Sequence, residues 1–149
     1  MPELPFEVEL EWSGEAGTGL IVTDDLELPY SVPASMGGRG TGSNPEELLV
    51  SAVGACYSAT LQGQLRRAGL PASGVRVTAR GAVEDYPHRA RFARLTVSPT
   101  ILGAEPSREA DYAEAARAAH ARCFIGRTIA GTVDYRLGTV TVEPARVAA

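Results

Sequence analysis

The chain has no lysine: all 14 of its Lys-or-Arg positions are arginine. The first is Arg39 and the next Arg66, so any cation that residues 1–65 bring to a site is Arg39 or the N-terminal amine. Cysteine is almost as scarce. Cys56 and Cys123 are the only two, far apart in sequence, and no Cys-x-x-Cys occurs, which disfavours thioredoxin-type chemistry. Gly37-Gly38-Arg39-Gly40 lacks the spacing and the lysine of a phosphate loop. The N-terminus carries Glu3, Glu7, Glu9 and Glu11 with no basic side chain, unlike a signal peptide. No uncharged apolar run is long enough to span a bilayer. A net charge of −4 argues against nucleic acid or an anionic membrane as the main partner. These exclusions place the chain in the cytoplasm, where a pair of thiols is more often catalytic or metal-binding than structural. The length of 149 residues predicts one domain, residues 1–149, with a core that needs no metal or disulfide staple.

Residues 5–12 alternate apolar and acidic side chains, the period of a half-buried strand. Residues 19–23 read as a second strand across a Gly14-to-Gly17 turn, and 26–30 as a third. A glycine-rich loop over 35–43 follows. Asn44 as cap, Pro45 at the first helical position and Glu47 in a capping-box arrangement start a helix at 44. It should stop at Gly69-Leu70-Pro71. From Leu48 to Leu61 it is apolar on nearly every face, as in a helix buried all round. Residues 74–84 and 91–101 predict a hairpin, 107–121 an amphipathic helix capped by Ser107, 123–130 a short helix, and 131–142 a strand. The pattern is α+β, with N-terminal antiparallel strands, a long buried central helix, and a second sheet with further helices.

The two cysteines carry the chemistry. Cys56 read blandly is a small buried hydrophobe. As a nucleophile it must be a thiolate, and burial alone opposes that. Lying mid-helix, it is expected to gain nothing from a helix N-terminus, so a cation is required. Arg39, always charged and able to hold a peroxide oxygen, is the local candidate. Glu46 is the partner to orient that arginine. Along one straight helix Glu46 and Cys56 stand roughly 15 Å apart at about 1.5 Å per residue, so a shared site needs Glu46 from a second subunit. An intertwined homodimer would also help to bury the central helix. The alternative is that Glu46 only favours its own helix N-terminus. Cys123 is the candidate resolver, able to condense with a Cys56 sulfenic acid into a disulfide that a dithiol reduces. Its alternative is packing at a helix junction. Cys56, His88, His120 and Cys123 are a poor zinc set, because structural zinc uses tighter pairs and Arg122 and Arg127 flank Cys123. His120 reads as a helix-surface residue and His88 as a loop residue. No metal or cofactor is expected.

Asn44-Pro45-Glu46-Glu47-Leu48 with Cys56 in the following helix, then Cys123 before a short helix and a terminal strand bearing Asp134-Tyr135, resembles the OsmC/Ohr family of thiol peroxidases over most of the chain. Arg39 in the loop before Asn-Pro-Glu is similar to the arginine of the OsmC-like branch. The resemblance implies an intertwined homodimer with two sites at its interface, reducing organic hydroperoxides and, less well in some branches, hydrogen peroxide. It implies Cys56 as peroxidatic cysteine, Cys123 as resolving cysteine and Glu46 as the carboxylate that holds an arginine. A dithiol such as a lipoylated protein is the implied reductant. The rival reading is a non-catalytic protein on the same fold that binds or senses a small apolar ligand.

Overall fold

A computed structural model describes residues 1–147. It is α+β, with two sheets and three α-helices among the described residues. The chain divides into two compact units, Met1–Leu49 and the residues from Val50 onward.

The first unit is a meander of β1 (Glu9–Ser13), β2 (Thr18–Val22) and β3 (Glu27–Tyr30), antiparallel in that order. Gly17 turns β1 into β2 with φ +69°, and its N–H donates to Ser13 O at 2.8 Å. Trp12 and Tyr30 meet over Gly19, with ring centroids 5.7 Å apart. A Cβ on Gly19 would stand 2.4 Å from the Tyr30 ring, so only glycine lets that ring cross the middle strand. The apolar residues of 5–12 alternate as expected, but β1 starts only at Glu9 and the face is not half-buried: Phe6 is 92% exposed and Leu10 56%. Ser31 ties the glycine-rich loop to β3. Its hydroxyl donates to Thr41 O at 2.7 Å and accepts from the Thr41 N–H at 2.9 Å. Asn44 caps α1 (Pro45–Arg67) through Oδ1, which accepts the Glu47 N–H at 2.8 Å.

In the second unit, α1 buries Val53, Tyr57, Leu61 and Leu65, four positions apart along one stripe. Ser51, Ala52, Ala55 and Ala59, on the other side, are exposed in the single chain, so burial is one-sided. The helix ends on Gly69 at φ +64°, with the Leu70 N–H donating to Leu65 O at 2.9 Å. β4 (Gly74–Glu84) and β5 (Arg91–Ala104) form the long antiparallel hairpin. On the far edge of β5 lie β6 (Asp134–Leu137) and β7 (Thr141–Pro144), both parallel to it. The single strand expected over 131–142 is thus two strands. The break falls at Gly138, where a Cβ would stand 2.2 Å from the Ser98 hydroxyl. α2 (Glu109–Arg122) follows a 3-10 turn, Pro106–Arg108. Ser107 lies inside that turn and makes no cap; Arg108 holds the cap position without a side-chain bond. α3 is Phe124–Ile129. The α1 stripe packs with Leu95, Val97 and Ile101 of β5 and with Tyr112, Ala116 and Ala119 of α2 in one core. Each fully buried Leu or Val contributes roughly 1.5–3 kcal/mol, which fixes α1 and the α2–α3 junction relative to the sheet.

Candidate functional site

Tyr57 faces the core, and its neighbour Cys56 therefore sits at the edge of the buried stripe, partly exposed. Cys123 is fully buried at the junction of α2 and α3. Its N–H ends α2 on Ala119 O at 2.9 Å, and its carbonyl accepts the Arg127 N–H of α3 at 2.9 Å. Its Sγ lies 4.0 Å from Val53 O, about one helical turn before Cys56. The two thiols are near enough for each to shift the pKa of the other, and both are free.

The pair is electrically asymmetric. Burial raises the Cys56 pKa, but the Ile125 N–H, the Cys123 thiol and the Phe124 N–H together bring it below the ordinary value of 9.0, without help from Thr60. The hydrogen of Thr60 is already given to the Cys56 carbonyl at 2.8 Å. The two amides open α3, where backbone N–H groups have no partner inside the helix. The expectation that Cys56 gains nothing from a helix N-terminus is therefore corrected. The amides come from a different helix, brought over by the Cys123 junction, and amides so placed stabilise a thiolate without any cation. Cys123 moves the other way. Burial raises its pKa, the Gly126 N–H opposes that, Cys56 raises it further and Tyr135 lowers it, for a net rise. Cys56 ionises first, while Cys123 keeps its proton and can donate it as a hydrogen bond to the thiolate.

This asymmetry has a direct readout. The alkylation rate of Cys56 by iodoacetamide, followed against pH in Cys123→Ser, should reach half its plateau clearly below pH 9.0. A half-point at or above that value would remove the activation by α3.

Arg39 and Glu46 belong to the first unit. Arg39 is exposed and lies along the β1–β2 turn, its Nε 3.3 Å from the place of a Cβ on Gly17. Among the described residues Arg39 makes no ion pair, and Glu46 Oε2 is buried with no hydrogen-bond partner. Cys56 and Cys123 are brought together, as their pairing requires; Arg39 and Glu46 are not joined to each other. His88 is exposed on the β4–β5 loop. His120, expected at the helix surface, is half-buried: its Nε2 lies 3.2 Å from Tyr135 O and its ring stacks on that of Tyr135 at 4.3 Å. No three His, Cys, Asp or Glu side chains converge as metal ligands among the described residues.

Tyr135 was not legible as a site residue. Its hydroxyl is buried without a hydrogen-bond partner, and it lies near enough to the Cys123 thiol for each to shift the pKa of the other. The Asp134-Tyr135 pair marked the strand in the sequence, and nothing in the spacing aimed the phenol at a cysteine.

The family described as OsmC-like protein matches residues 38–137. The uncharacterized protein YmaD of Bacillus subtilis (strain 168) is 28% identical over 141 residues, which cover 92% of this chain and 94% of that one. Among solved structures, the organic hydroperoxide resistance protein OsmC of Legionella pneumophila is 24% identical, with TM-score 0.72 over 94% of this chain and 100% of its own. An OsmC-like protein of Mycoplasma pneumoniae is 15% identical with TM-score 0.79, covering 95% and 99%. At these identities the two structures speak for the fold. With two thirds of its length matched by the family and the same fold in both structures, the chain belongs to the OsmC-like family.

Proposed function

We propose that the protein is a cysteine-based peroxidase that reduces organic hydroperoxides to alcohols. The observation that carries this reading is the pairing of a partly exposed Cys56 whose pKa is lowered with a buried Cys123 whose pKa is raised, each perturbing the other. The Cys56 thiolate attacks the terminal peroxide oxygen, the O–O bond breaks, and the alkoxide takes a proton and leaves as alcohol. The sulfur is now a sulfenic acid. Cys123 attacks it, the Cys56–Cys123 disulfide forms and water leaves. A dithiol, such as a lipoyl group on a protein, restores both thiols by exchange. The name of the Legionella relative points to the same substrate class.

The active unit in this reading is a homodimer. Phe6, Val8, Leu10 and Trp12 are exposed in the single chain, as is the Ser51, Ala52, Ala55, Ala59 side of α1. The apolar face of residues 6–12 and a small-residue helix face are surfaces a second copy would cover. A buried carboxylate oxygen without a partner is costly, so the Glu46 Oε2 is suited to a guanidinium, from Arg39 of either subunit.

The test is consumption of tert-butyl hydroperoxide by the reduced protein with dihydrolipoamide as the reductant. Sustained, protein-dependent turnover is expected. No consumption, with both thiols still titratable after exposure to peroxide, would overturn the peroxidase and turn attention to binding of a small apolar ligand.

A further inference from the structure

Two phenols stand in the field of the Cys123 sulfur, and only one is free to act. Tyr57 donates its hydrogen to Ala116 O at 3.1 Å. Tyr135 has no such acceptor, and its hydroxyl is buried and unpartnered. A buried donor left unpaired is destabilising, so its persistence calls for a state in which it is paired. The ring cannot turn away. One face stacks on His120, and its edge lies so close to Gly126 that a Cβ there would stand 2.2 Å from Cε2 and 2.7 Å from Cζ. Gly126 is three residues beyond Cys123, in the first turn of α3, and its N–H also faces that sulfur.

We propose that the Tyr135 hydroxyl is a catalytic hydrogen-bond donor to Cys123, serving whenever that buried sulfur carries negative charge. The inference rests on the peroxidase reading and extends it to the resolving and reductive steps. Cys123 is fully buried and Cys56 is not, so an external dithiol reaches only the Cys56 sulfur of the disulfide. The dithiol's thiolate attacks Cys56, the S–S bond breaks and Cys123 leaves as a thiolate with no water to solvate it. The second thiol of the reductant then displaces Cys56, closing the reductant's own disulfide. One of the two reductant protons ends on Cys123 and the other goes to solvent, because Cys56 is released as thiolate. Disulfide closure uses the same sulfur in the same charge state as attacking nucleophile, with water leaving Cys56. In both directions the Tyr135 O–H and the Gly126 N–H meet the charge on Cys123. The phenol keeps its proton throughout. Burial, with the cysteine sulfurs beside it, holds its pKa far above the ordinary value. The titratable groups around Cys123 are Cys56 and Tyr57 of α1, His120 of α2 behind the Tyr135 ring, and Tyr135 of β6.

Tyr135→Phe keeps the ring against His120 and Gly126 and removes only the hydroxyl. In single-turnover mixing with one equivalent of tert-butyl hydroperoxide, sulfenic acid formation should keep its wild-type rate. Disulfide closure should slow by about tenfold or more, as expected for a lost bond to a charged group. The rise of closure rate with pH should move up by about one unit. A purely structural role would not move that profile while sparing the first step. Reduction of a diamide-formed Cys56–Cys123 disulfide by dithiothreitol should slow in parallel. This arm needs no peroxide. If the wild type ignores peroxide, the peroxidase reading falls, while equal dithiothreitol rates in wild type and variant separately overturn the role of Tyr135. Closure with an unchanged rate and pH profile in Tyr135→Phe, or no disulfide with diamide, also overturns it.

Discussion

Cys56→Ser reduces hydroperoxide turnover to that of buffer, whereas Cys123→Ser completes about one turnover per chain and then stops. The two outcomes differ because the sulfurs differ in surroundings. The Phe124 and Ile125 amides lower the pKa of a thiol that begins near 9.0. A serine hydroxyl begins far higher, so the same amides yield no usable alkoxide, and the site loses its nucleophile. Cys123→Ser leaves Cys56 intact and keeps an O–H where the S–H donor stood. Attack on the peroxide therefore persists, and the sulfenic acid has no thiol to condense with. Further peroxide drives it to sulfinic and sulfonic acid, which mass spectrometry of the intact chain resolves. Dithiol-driven cycling by Cys56→Ser would end the assignment of the nucleophile. Sustained cycling by Cys123→Ser would end that of the resolver and leave external thiols to do its work.

Much of this arrangement was legible in the residues, and what was not has physical reasons. The limits of α1 lie close to those read from the sequence because local chemistry sets both: the Asn44 side chain caps one end, and Gly69 at positive φ closes the other. The β4–β5 hairpin was equally local. The alternation in residues 5–12 was legible, but alternation does not say what covers a face, and in the single chain nothing covers Phe6 or Leu10. The activation of Cys56 was misassigned because helix position was judged along its own helix. The amides that matter open α3, 68 and 69 positions downstream, and only folding brings them over. A signal did exist. A short helix beginning directly after Cys123 obliges any partner of that cysteine to meet the first amides of the helix. Tyr135 gave no such signal, because an aromatic on a half-buried strand is ordinary core material until its hydroxyl is seen to lack a partner.

Gly126→Ala tests the packing that holds this assembly in place. The added methyl would stand 2.2 Å from the Tyr135 ring, well inside contact distance. The ring is stacked on His120 behind, and His120 is itself held at the Tyr135 carbonyl, so retreat is blocked. Either the ring is pushed out or the first turn of α3 is lifted. Overpacking of this kind costs about 1–3 kcal/mol, which for a domain of this size lowers Tm by several degrees. Both routes also damage the chemistry. A lifted α3 withdraws the Phe124 and Ile125 amides from Cys56, raising its pKa and slowing alkylation near neutral pH. A displaced ring withdraws the hydroxyl from Cys123 and slows disulfide closure. Which of the two rates falls identifies the element that yielded. Gly131→Ala is the control, because a Cβ there meets nothing within 4 Å, and it should leave Tm and both rates unchanged. Adding Tyr135→Val to Gly126→Ala makes room for the methyl and should recover more stability than the two single changes predict by addition. The recovered double variant should regain fast Cys56 alkylation while disulfide closure stays slow, because the α3 amides return to Cys56 and the phenol does not return to Cys123. Gly126→Ala with wild-type Tm and rates would mean that the glycine is not what fixes Tyr135 beside Cys123.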